Sequence, residues 1–254
     1  KTTILRCLAG LETPDAGVVE IGGKRVFDKA NGIDLMPEQR ELGIVFQSYA
    51  VWPHMTVAEN VAFPLKVRGM PTAERMARAS KMLETVGLAG LESRSATLVS
   101  GGQQQRIALA RALIHEPRLV LFDEALSNLA AQLREHMRME LRILQERLGF
   151  TAIYVTHDQS EALAISDRIA VMYVGQLVEL APTDALFSRP RHPYTAALMR
   201  AVPVADPRVK VGDGILAGEV PSPAAPPSGC YFHPRCRFAE DRCRKEAPAL
   251  REIA

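Results

Sequence analysis

Residues 99–129, VSGGQQQRIALARALIHEPRLVLFDEALSNL, decide the fold. A pair of glycines leads into an apolar helix that includes Ile107–Leu113. Four apolar residues, Leu119–Phe122, then fit a strand buried on both faces, and Asp123-Glu124 follow directly. Because further apolar strands alternate with helical patterns along the chain, the sequence predicts an α/β fold with a sheet layered by helices.

The flanking segments repeat this alternation. A Thr56–Glu59 capping box opens one helix, and Gly87 ends the next. Buried strands are predicted at Leu42–Phe46 and Ala152–Thr156. The other predicted elements are helices at Thr2–Gly10, 56–66, 71–86, Leu133–Leu148 and Ser160–Ser166, strands at Val18–Ile21 and around Arg25–Phe27, and a hairpin over 168–180.

Composition restricts the class of protein. The 254 residues carry a formal net charge of +2, which gives no electrostatic case for nucleic acid as a partner. No stretch approaches the roughly 18 apolar residues that span a bilayer, and no signal-peptide pattern is present. We therefore expect a cytosolic chain that reaches a membrane only through a protein partner.

Asp123-Glu124 is a candidate catalytic pair. A carboxylate at the end of a strand can hold Mg²⁺, and a neighbouring glutamate can activate a water for attack on phosphate. The same two residues could instead form an acidic cap on the next element. The segment alone leaves both interpretations open.

Three other segments are candidates for phosphate contacts. Ser100-Gly101-Gly102-Gln103 lets the backbone approach an anion at a helix N-terminus, although Ser100 could be a plain N-cap. His157 follows a strand and could contact a γ-phosphate or be structural. Lys1-Thr2-Thr3 matches the end of a phosphate-binding loop, or an ordinary charged helix start.

These motifs occur in an order that resembles the nucleotide-binding subunits of ATP-binding cassette (ABC) transporters. The resemblance rests on residues 42–69 (LGIVFQSYAVWPHMTVAENVAFPLKVRG), 99–129, and 153–172 (IYVTHDQSEALAISDRIAVM). It implies a P-loop NTPase cassette over residues 1–202, with a mixed sheet layered by helices and a helical subdomain at about 50–115. Lys1 then stands inside the phosphate loop, so we expect an N-terminally truncated chain without its first strand or the glycine part of the loop, and inactive as given.

The resemblance also implies a role for each matching residue. ATP would be contacted by Lys1, Thr2 and Thr3, and a second subunit's ATP by the signature Ser100, Gly101, Gly102 and Gln103. Mg²⁺ would be held by Thr2, Gln47 and Asp123. The catalytic residues would be Glu124 as general base, His157 as the γ-phosphate contact, and Gln47.

Three positions depart from the family pattern. Val99 replaces the usual leucine of the signature, and Ala125 replaces a common proline. Ala130 stands where the family has an aspartate that couples two ATP sites across a dimer. We therefore keep a second hypothesis, a hydrolysis-impaired cassette that binds ATP in a regulatory role.

The last fifty residues differ in composition. Residues 203–228 are rich in proline and glycine and predict a linker, within a C-terminal extension over 203–254. His192-Pro193-Tyr194-Thr195 and the segment 229–236 resemble the extension of oligopeptide and dipeptide importer ATPases. Cys230, Cys236 and Cys243 suggest three ligands of a [4Fe–4S] cluster, with a fourth beyond the chain end, or three reduced thiols in a folded tail.

Together these features predict the ATP-hydrolysing subunit of an importer of small solutes. The tail favours peptide, whereas residues 45–69 most resemble ATPases of sugar, polyamine or ferric-iron importers. The expected partners are permease membrane subunits, a second ATP-binding subunit in a homo- or heterodimer, and indirectly an extracytoplasmic solute-binding protein. The expected location is peripheral, on the cytoplasmic face of the bacterial inner or plasma membrane.

Overall fold

A computed structural model describes residues 1–201, 216 and 218–252. The predicted domain boundary at 202/203 lies outside these residues, as do positions 203–215 and 217 of the predicted linker. The chain divides into two compact units, Lys1–His157 and Asp158–Ala254. Each unit is described by itself below.

The fold is mixed α/β, as predicted. The helices are α1 (Thr2–Ala9), α2 (Val57–Val67), α3 (Thr72–Thr85), α4 (Gly101–Leu113), α5 (Ala131–Leu148), α6 (Gln159–Ile165), α7 (Thr183–Ser188) and α8 (Pro193–Arg200). The strands are β1 (Val18–Ile21), β2 (Lys24–Asp28), β3 (Ile33–Asp34), β4 (Leu42–Val45), β5 (Leu119–Asp123), β6 (Thr151–Val155), β7 (Arg168–Tyr173) and β8 (Gln176–Pro182).

These strands form three small sheets. The sheet β1-β2-β3 is antiparallel, the sheet β4-β5-β6 is parallel, and β7 and β8 form an antiparallel pair. The first two sheets belong to the first unit, and the pair β7-β8 belongs to the second. The parallel sheet carries the candidate site.

The central strand β5 is buried on both faces, as its apolar run predicts. Leu119 and Leu121 pack with Leu5 and Ala9 of α1 on one face. Val120 and Phe122 alternate with them and are also buried. Because β5 is buried on both faces, it is held firmly within the first unit. The acidic pair Asp123-Glu124 at its carboxyl end is therefore held in a fixed position.

The helix α4 packs against β4, and a glycine allows the contact. A Cβ atom built on Gly43 would lie 2.5 Å from the Ala112 carbonyl oxygen, which is closer than real Cβ atoms come. Gly43 therefore lets the signature helix approach the sheet. Any side chain at this position would push α4 away from β4.

Two strand predictions need correction. Strand β4 ends at Val45 and alternates between half-buried and buried residues, rather than being buried throughout. Strand β6 is exposed over Thr151–Ile153, and only Val155 is fully buried. In the described part of the chain β6 has β5 as its one strand neighbour, so an apolar sequence there does not ensure burial.

The second unit holds the remaining elements and the cysteine tail. The Phe232 side chain is 2% exposed, and its ring centre lies 5.2 Å from that of Tyr173 in β7 and 5.5 Å from those of His192, the N-cap of α8, and Tyr194 in α8. Phe232 thus fastens the tail to the β7-β8 hairpin and α8. Of the helices in the described ranges, none is both long and apolar enough to cross a lipid bilayer.

Candidate active site

The candidate site lies at one edge of the parallel sheet. Because β4, β5 and β6 run in the same direction, their carboxyl ends meet at that edge. Gln47 follows β4, Asp123 ends β5 opposite Val155, and His157 follows β6. Ligands of open parallel sheets bind at such carboxyl ends.

The N-terminus of α1 is at the same edge. The Thr2 hydroxyl donates a hydrogen bond to Asp123 Oδ1 at 3.1 Å. The Lys1 ammonium donates to the Thr156 carbonyl oxygen, directly before His157. Side chains at the start of α1 therefore contact both the end of β5 and the residue that follows β6. The neighbouring Thr3 is exposed.

A second contact in the site joins the side chains of Glu124 and His157. Glu124 Oε2 lies 3.3 Å from His157 Nδ1, and the Glu124 amide donates to the Val155 carbonyl oxygen at 2.9 Å. The Glu124 backbone has a φ of 49°, in the left-handed region that a non-glycine residue rarely adopts. Backbone strain of this kind is concentrated at functional sites.

Gln47 is placed by a neighbouring turn. Its carbonyl oxygen accepts a hydrogen bond of 2.9 Å from Asn128 Nδ2. Asn128 belongs to the turn that follows Glu124, where the Ser127 hydroxyl donates to the Glu124 carbonyl oxygen at 2.8 Å. The loop with Gln47 is thus tied to the turn that holds the acidic pair.

Two of the signature residues, Ser100 and Gln103, bond to each other. The Ser100 hydroxyl accepts from the Gln103 amide at 3.4 Å, and Gln103 Oε1 accepts from the Ser100 amide at 2.9 Å. This reciprocal capping box opens α4. A Cβ on Gly102 would lie 3.2 Å from Leu133 Cδ2, so glycine keeps α4 close to α5. Within this chain, the signature serves as a helix cap.

The chemistry of the edge fits a magnesium nucleotide. Mg²⁺ prefers oxygen ligands, usually one or two carboxylates completed by substrate phosphates and water. A threonine hydroxyl beside an aspartate carboxylate supplies such ligands. The N-terminus of α1 and the Lys1 ammonium add positive charge where phosphates would lie.

The cysteine tail does not show a metal-binding arrangement. Among residues 1–201, 216 and 218–252, no three His, Cys, Asp or Glu side chains gather as metal ligands. Cys230, Cys236 and Cys243 are half-buried free thiols, and the Cys230 amide donates to the Cys243 carbonyl oxygen at 2.8 Å. The geometry of the tail therefore gives no support to the predicted [4Fe–4S] cluster. The residue that the tail buries is Phe232.

Three further residues shape the site and are not predicted from the sequence. Asn128 bonds to Gln47, Arg111 bonds to the loop after Gln47, and Asn60 of α2 bonds to the same loop. Arg111 had a signal in the sequence, because a charged residue inside the apolar run Ile107–Leu113 needs a buried partner. The sequence around Asn60 and Asn128 carries no comparable signal.

Comparison with known proteins gives a family match for each end of the chain. A family model described as "ABC transporter" matches residues 1–127, and one described as "Oligopeptide/dipeptide transporter, C-terminal region" matches residues 178–243. The chain is 48% identical over 204 residues to the trehalose/maltose import ATP-binding protein of Thermococcus litoralis, covering 80% of this chain and 55% of that protein.

Two further relatives have other solutes in their names. A Fe(3+) ions import ATP-binding protein of Haemophilus influenzae is 46% identical over 218 residues, or 86% of this chain and 65% of that protein. A spermidine/putrescine import ATP-binding protein of Pseudomonas aeruginosa is 48% identical over 214 residues, or 84% of this chain and 57% of that protein.

The chain therefore spans between 55% and 65% of the length of these relatives. The resemblances drawn from both ends of the sequence are confirmed, since an importer-type front half is joined to a peptide-transporter type of extension. With the matching family model covering half of its 254 residues, this chain belongs to the ABC transporter family.

Proposed function

We propose that this chain is the ATP-binding and ATP-hydrolysing subunit of an ABC importer. The observation that carries the proposal is the meeting of the Thr2 hydroxyl with the Asp123 carboxylate, 3.1 Å apart, beside the Glu124–His157 contact. This places oxygen ligands for Mg²⁺, a candidate base and a histidine at one edge. The relatives named as import ATP-binding proteins support the importer class.

Each residue has a proposed role in hydrolysis. Lys1 and Thr3 contact phosphate oxygens, while Thr2, Asp123 and Gln47 hold Mg²⁺. The bound ion supplies charge stabilisation on the phosphate oxygens. Glu124 accepts a proton from a water whose oxygen attacks the γ-phosphorus, and the bond to the β,γ-bridging oxygen breaks to leave ADP and inorganic phosphate.

His157 and Gln47 orient the reaction. His157 Nδ1 lies 3.3 Å from Glu124 Oε2, close enough to position that carboxylate. His157 would also contact the transferred phosphoryl group. Gln47 would contact both Mg²⁺ and the attacking water.

The signature supports a proposed second subunit. Ser100 and Gln103 form the capping box that opens α4, and backbone N–H groups at a helix N-terminus can bind an anion. We propose that they close over ATP bound to a second ATP-binding subunit, which could be identical or different. Two ATP molecules would then be held between the paired subunits.

The proposed setting is the cytoplasmic face of a bacterial inner or plasma membrane. Permease subunits would form the pathway, and a solute-binding protein would act on its far side, with no role for nucleic acid. Residues 1–202 would form the nucleotide-binding domain, with a helical subdomain at about 50–115, and residues 203–254 the linker and extension.

Peptide is the favoured solute, because the extension matches the oligopeptide/dipeptide model. Sugar, ferric iron and polyamine are the alternatives from the named relatives. Uptake of labelled peptide, maltose, ferric iron and spermidine by a deletion strain would separate them. Loss of peptide uptake, restored by the wild-type gene and not by Asp123→Asn, is expected, whereas loss of another solute would reassign the importer.

The hydrolysis itself is tested on the full-length gene product. Asp123→Asn is expected to remove most Mg²⁺-dependent phosphate release, because it removes a charged metal ligand. Asp15→Asn, at an exposed position, is the matched control. Equal activity of Asp123→Asn and the control would contradict the metal role.

The hydrolysis-impaired hypothesis rests on Ala130, which replaces the family's aspartate. If this change weakens hydrolysis, Ala130→Asp will raise phosphate release several-fold while Ala130→Asn will not. If both variants match the wild type, the alanine does not limit turnover.

The [4Fe–4S] cluster in the tail stays a separate prediction from the sequence. It requires iron and a broad visible absorbance band in anaerobically purified full-length protein. Cys236→Ser would remove both signals. Absence of both signals from the wild-type protein would end the hypothesis.

A further inference from the structure

The loop that carries Gln47 has an unusual backbone. Tyr49 and Ala50 are consecutive non-glycine residues with φ values of 60° and 47°. This left-handed conformation brings Cβ close to the backbone and persists only where surrounding contacts enforce it. The loop over residues 47–52 therefore needs an outside support.

Arg111 supplies that support from the signature helix. Its Nη1 donates to the Ala50 carbonyl oxygen at 2.6 Å, and its Nη2 donates to the Tyr49 carbonyl oxygen at 2.8 Å. The guanidinium is a planar fork of donors, so it can hold two successive carbonyl groups in one orientation. The two carbonyl groups belong to the two left-handed residues.

The same guanidinium lies against an aromatic ring. Arg111 Cζ is 4.5 Å from the centre of the Trp52 ring, which also contacts Phe63 at 4.3 Å. Arg111 is 8% exposed, and burial lowers its pKa to about 10, so it remains a cation at neutral pH. The ring face and the two carbonyl groups together fix the position and the orientation of this buried cation.

Two asparagines hold the ends of the loop. Asn128 donates to the Gln47 carbonyl oxygen at 2.9 Å. Asn60 of α2, which is fully buried, accepts from the Trp52 amide at 2.8 Å and donates to the Trp52 carbonyl oxygen at 3.1 Å. The loop is thus fastened to three different elements, and Arg111 is the contact at its left-handed centre.

We propose that Arg111 is a positioning residue that keeps the Gln47 loop in its left-handed form and makes the loop follow the signature helix. Arg111 lies near the end of α4, whose first residues complete the Ser100–Gln103 signature. A displacement of α4 would pull on the Tyr49 and Ala50 carbonyl groups and move Gln47. The consequence for ATP turnover rests on the function proposed above, but the clamp itself does not.

The clamp has a built-in reporter. Trp52 is the single tryptophan of the 254 residues, and it packs on the guanidinium under test. Adding Trp52→Phe to the wild type and to each variant shows how much of the fluorescence of the full-length protein comes from Trp52. Loss of the clamp is expected to shift Trp52 emission to the red and to increase its quenching by acrylamide.

The first variant is Arg111→Lys, which keeps the charge and loses the fork. We expect the emission shift together with a fall in kcat of about tenfold, the effect of losing one charge-assisted hydrogen bond, with KM for ATP little changed. Arg118→Lys is the control, since Arg118 is an exposed arginine that also donates to a carbonyl oxygen, that of Gly22. It should match the wild type.

The second variant adds Ala50→Gly to Arg111→Lys. Glycine adopts a positive φ without steric strain, so it should restore part of the emission and turnover if the clamp acts by enforcing the left-handed loop. A residue that merely fills the core would not be rescued in this way. If Arg111→Lys alone does not fold, recovery of folded protein in the double variant is the same predicted rescue.

The outcomes separate the two proposals. Wild-type emission and turnover in Arg111→Lys would overturn the clamp, and so would a defect that Ala50→Gly leaves unchanged. If the wild-type protein releases no phosphate, the proposed function fails. The emission shift and its rescue still decide whether Arg111 holds the loop.

Discussion

At the scale of single residues, the site depends on buried charges with defined partners. The Arg40 side chain is fully buried and donates to the Cys7 and Leu8 carbonyl oxygens at 2.7 Å and 3.0 Å, and it pairs with Asp34 at 2.9 Å. These carbonyl groups are at the C-terminal end of α1, where a helix leaves acceptors unpaired. Arg40 thereby fixes the helix whose other end presents Lys1 and Thr2.

We predict that Arg40→Ala lowers the free energy of unfolding by about 2–5 kcal/mol, because it removes a fully buried side chain together with its hydrogen bonds to the Cys7 and Leu8 carbonyl oxygens. Urea unfolding of the full-length protein measures this. Arg6→Ala is the control, since the Arg6–Glu12 pair is exposed and should change stability by less than about 1 kcal/mol. Equal effects of the two variants would show that Arg40 is not required.

The sequence indicates which candidate residues follow the parallel strands. Asp123, Glu124 and His157 follow apolar strands, and parallel strands bring such positions together without further information. Sequence could not place Arg111, because its bond to Tyr49 joins residues 62 positions apart and depends on how α4 crosses β4. The partners of a buried charge are set by packing, which periodicity does not report.

At the scale of elements, the start of one helix and the burial of one strand differ from the sequence prediction. Helix α5 was predicted from Leu133 and begins at Ala131, with Ala130 as an N-cap that makes no side-chain hydrogen bond. Strand β6 was predicted to be buried and is largely exposed at the sheet edge. Both differences arise because an apolar or helical pattern does not specify where neighbouring elements lie.

We predict that Ala130→Asp and Ala130→Asn each stabilise the protein by about 1 kcal/mol, because either side chain can accept a hydrogen bond from the first turn of α5. Thermal unfolding measures the gain. Ala201→Asn, at the C-cap of α8, removes the same residue type without creating an N-cap and should give no such gain. Lower stability of both Ala130 variants would refute the cap.

Helix α8 is capped by a titratable residue. His192 Nδ1 accepts a hydrogen bond from the Tyr194 amide at 3.1 Å, which requires that nitrogen to be unprotonated. Burial is the main cause that lowers the pKa of His192 below its ordinary value of 6.5, although Glu179 opposes the shift. The unfolded chain therefore binds a proton at a higher pH than the folded chain does.

We predict that stability falls as the pH drops below 6.5, because protonation then favours the unfolded chain. His192→Asn keeps a capping side chain without this titration, so its stability should depend less on pH. Thermal unfolding between pH 7.5 and pH 5 compares the two proteins. His115, whose pKa is also lowered by burial, is present in both and cancels in the difference. Identical dependence of stability on pH in the two proteins would show that His192 does not contribute to it.

At the scale of the whole molecule, the chain consists of two compact units. The first unit contains the candidate active site and the proposed Arg111 contact with the Gln47 loop. The second contains the β7-β8 hairpin, α8 and the extension, which Phe232 fastens. The family model described as "ABC transporter" matches residues of the first unit, whereas the identity to the import ATP-binding proteins extends over both units.

We predict that Phe232→Ala releases the extension from the hairpin, because it removes an aromatic side chain that is 2% exposed. Limited proteolysis should then cut residues 218–252 much faster than in the wild type. Phe238→Ala is the matched control, since Phe238 is 59% exposed. Cleavage at equal rates in both variants would show that Phe232 does not hold the tail.

The central claim is that this edge of the sheet binds ATP and that Glu124 drives its hydrolysis. Its most direct test is the identity of the labelled nucleotide retained by the full-length Glu124→Gln protein after incubation with Mg²⁺ and ATP, beside wild type and the exposed control Glu38→Gln. Removal of a general base slows the chemical step by about 100-fold or more. We predict that Glu124→Gln retains ATP while wild type and control form ADP; ADP formed by Glu124→Gln at the wild-type rate would contradict the account.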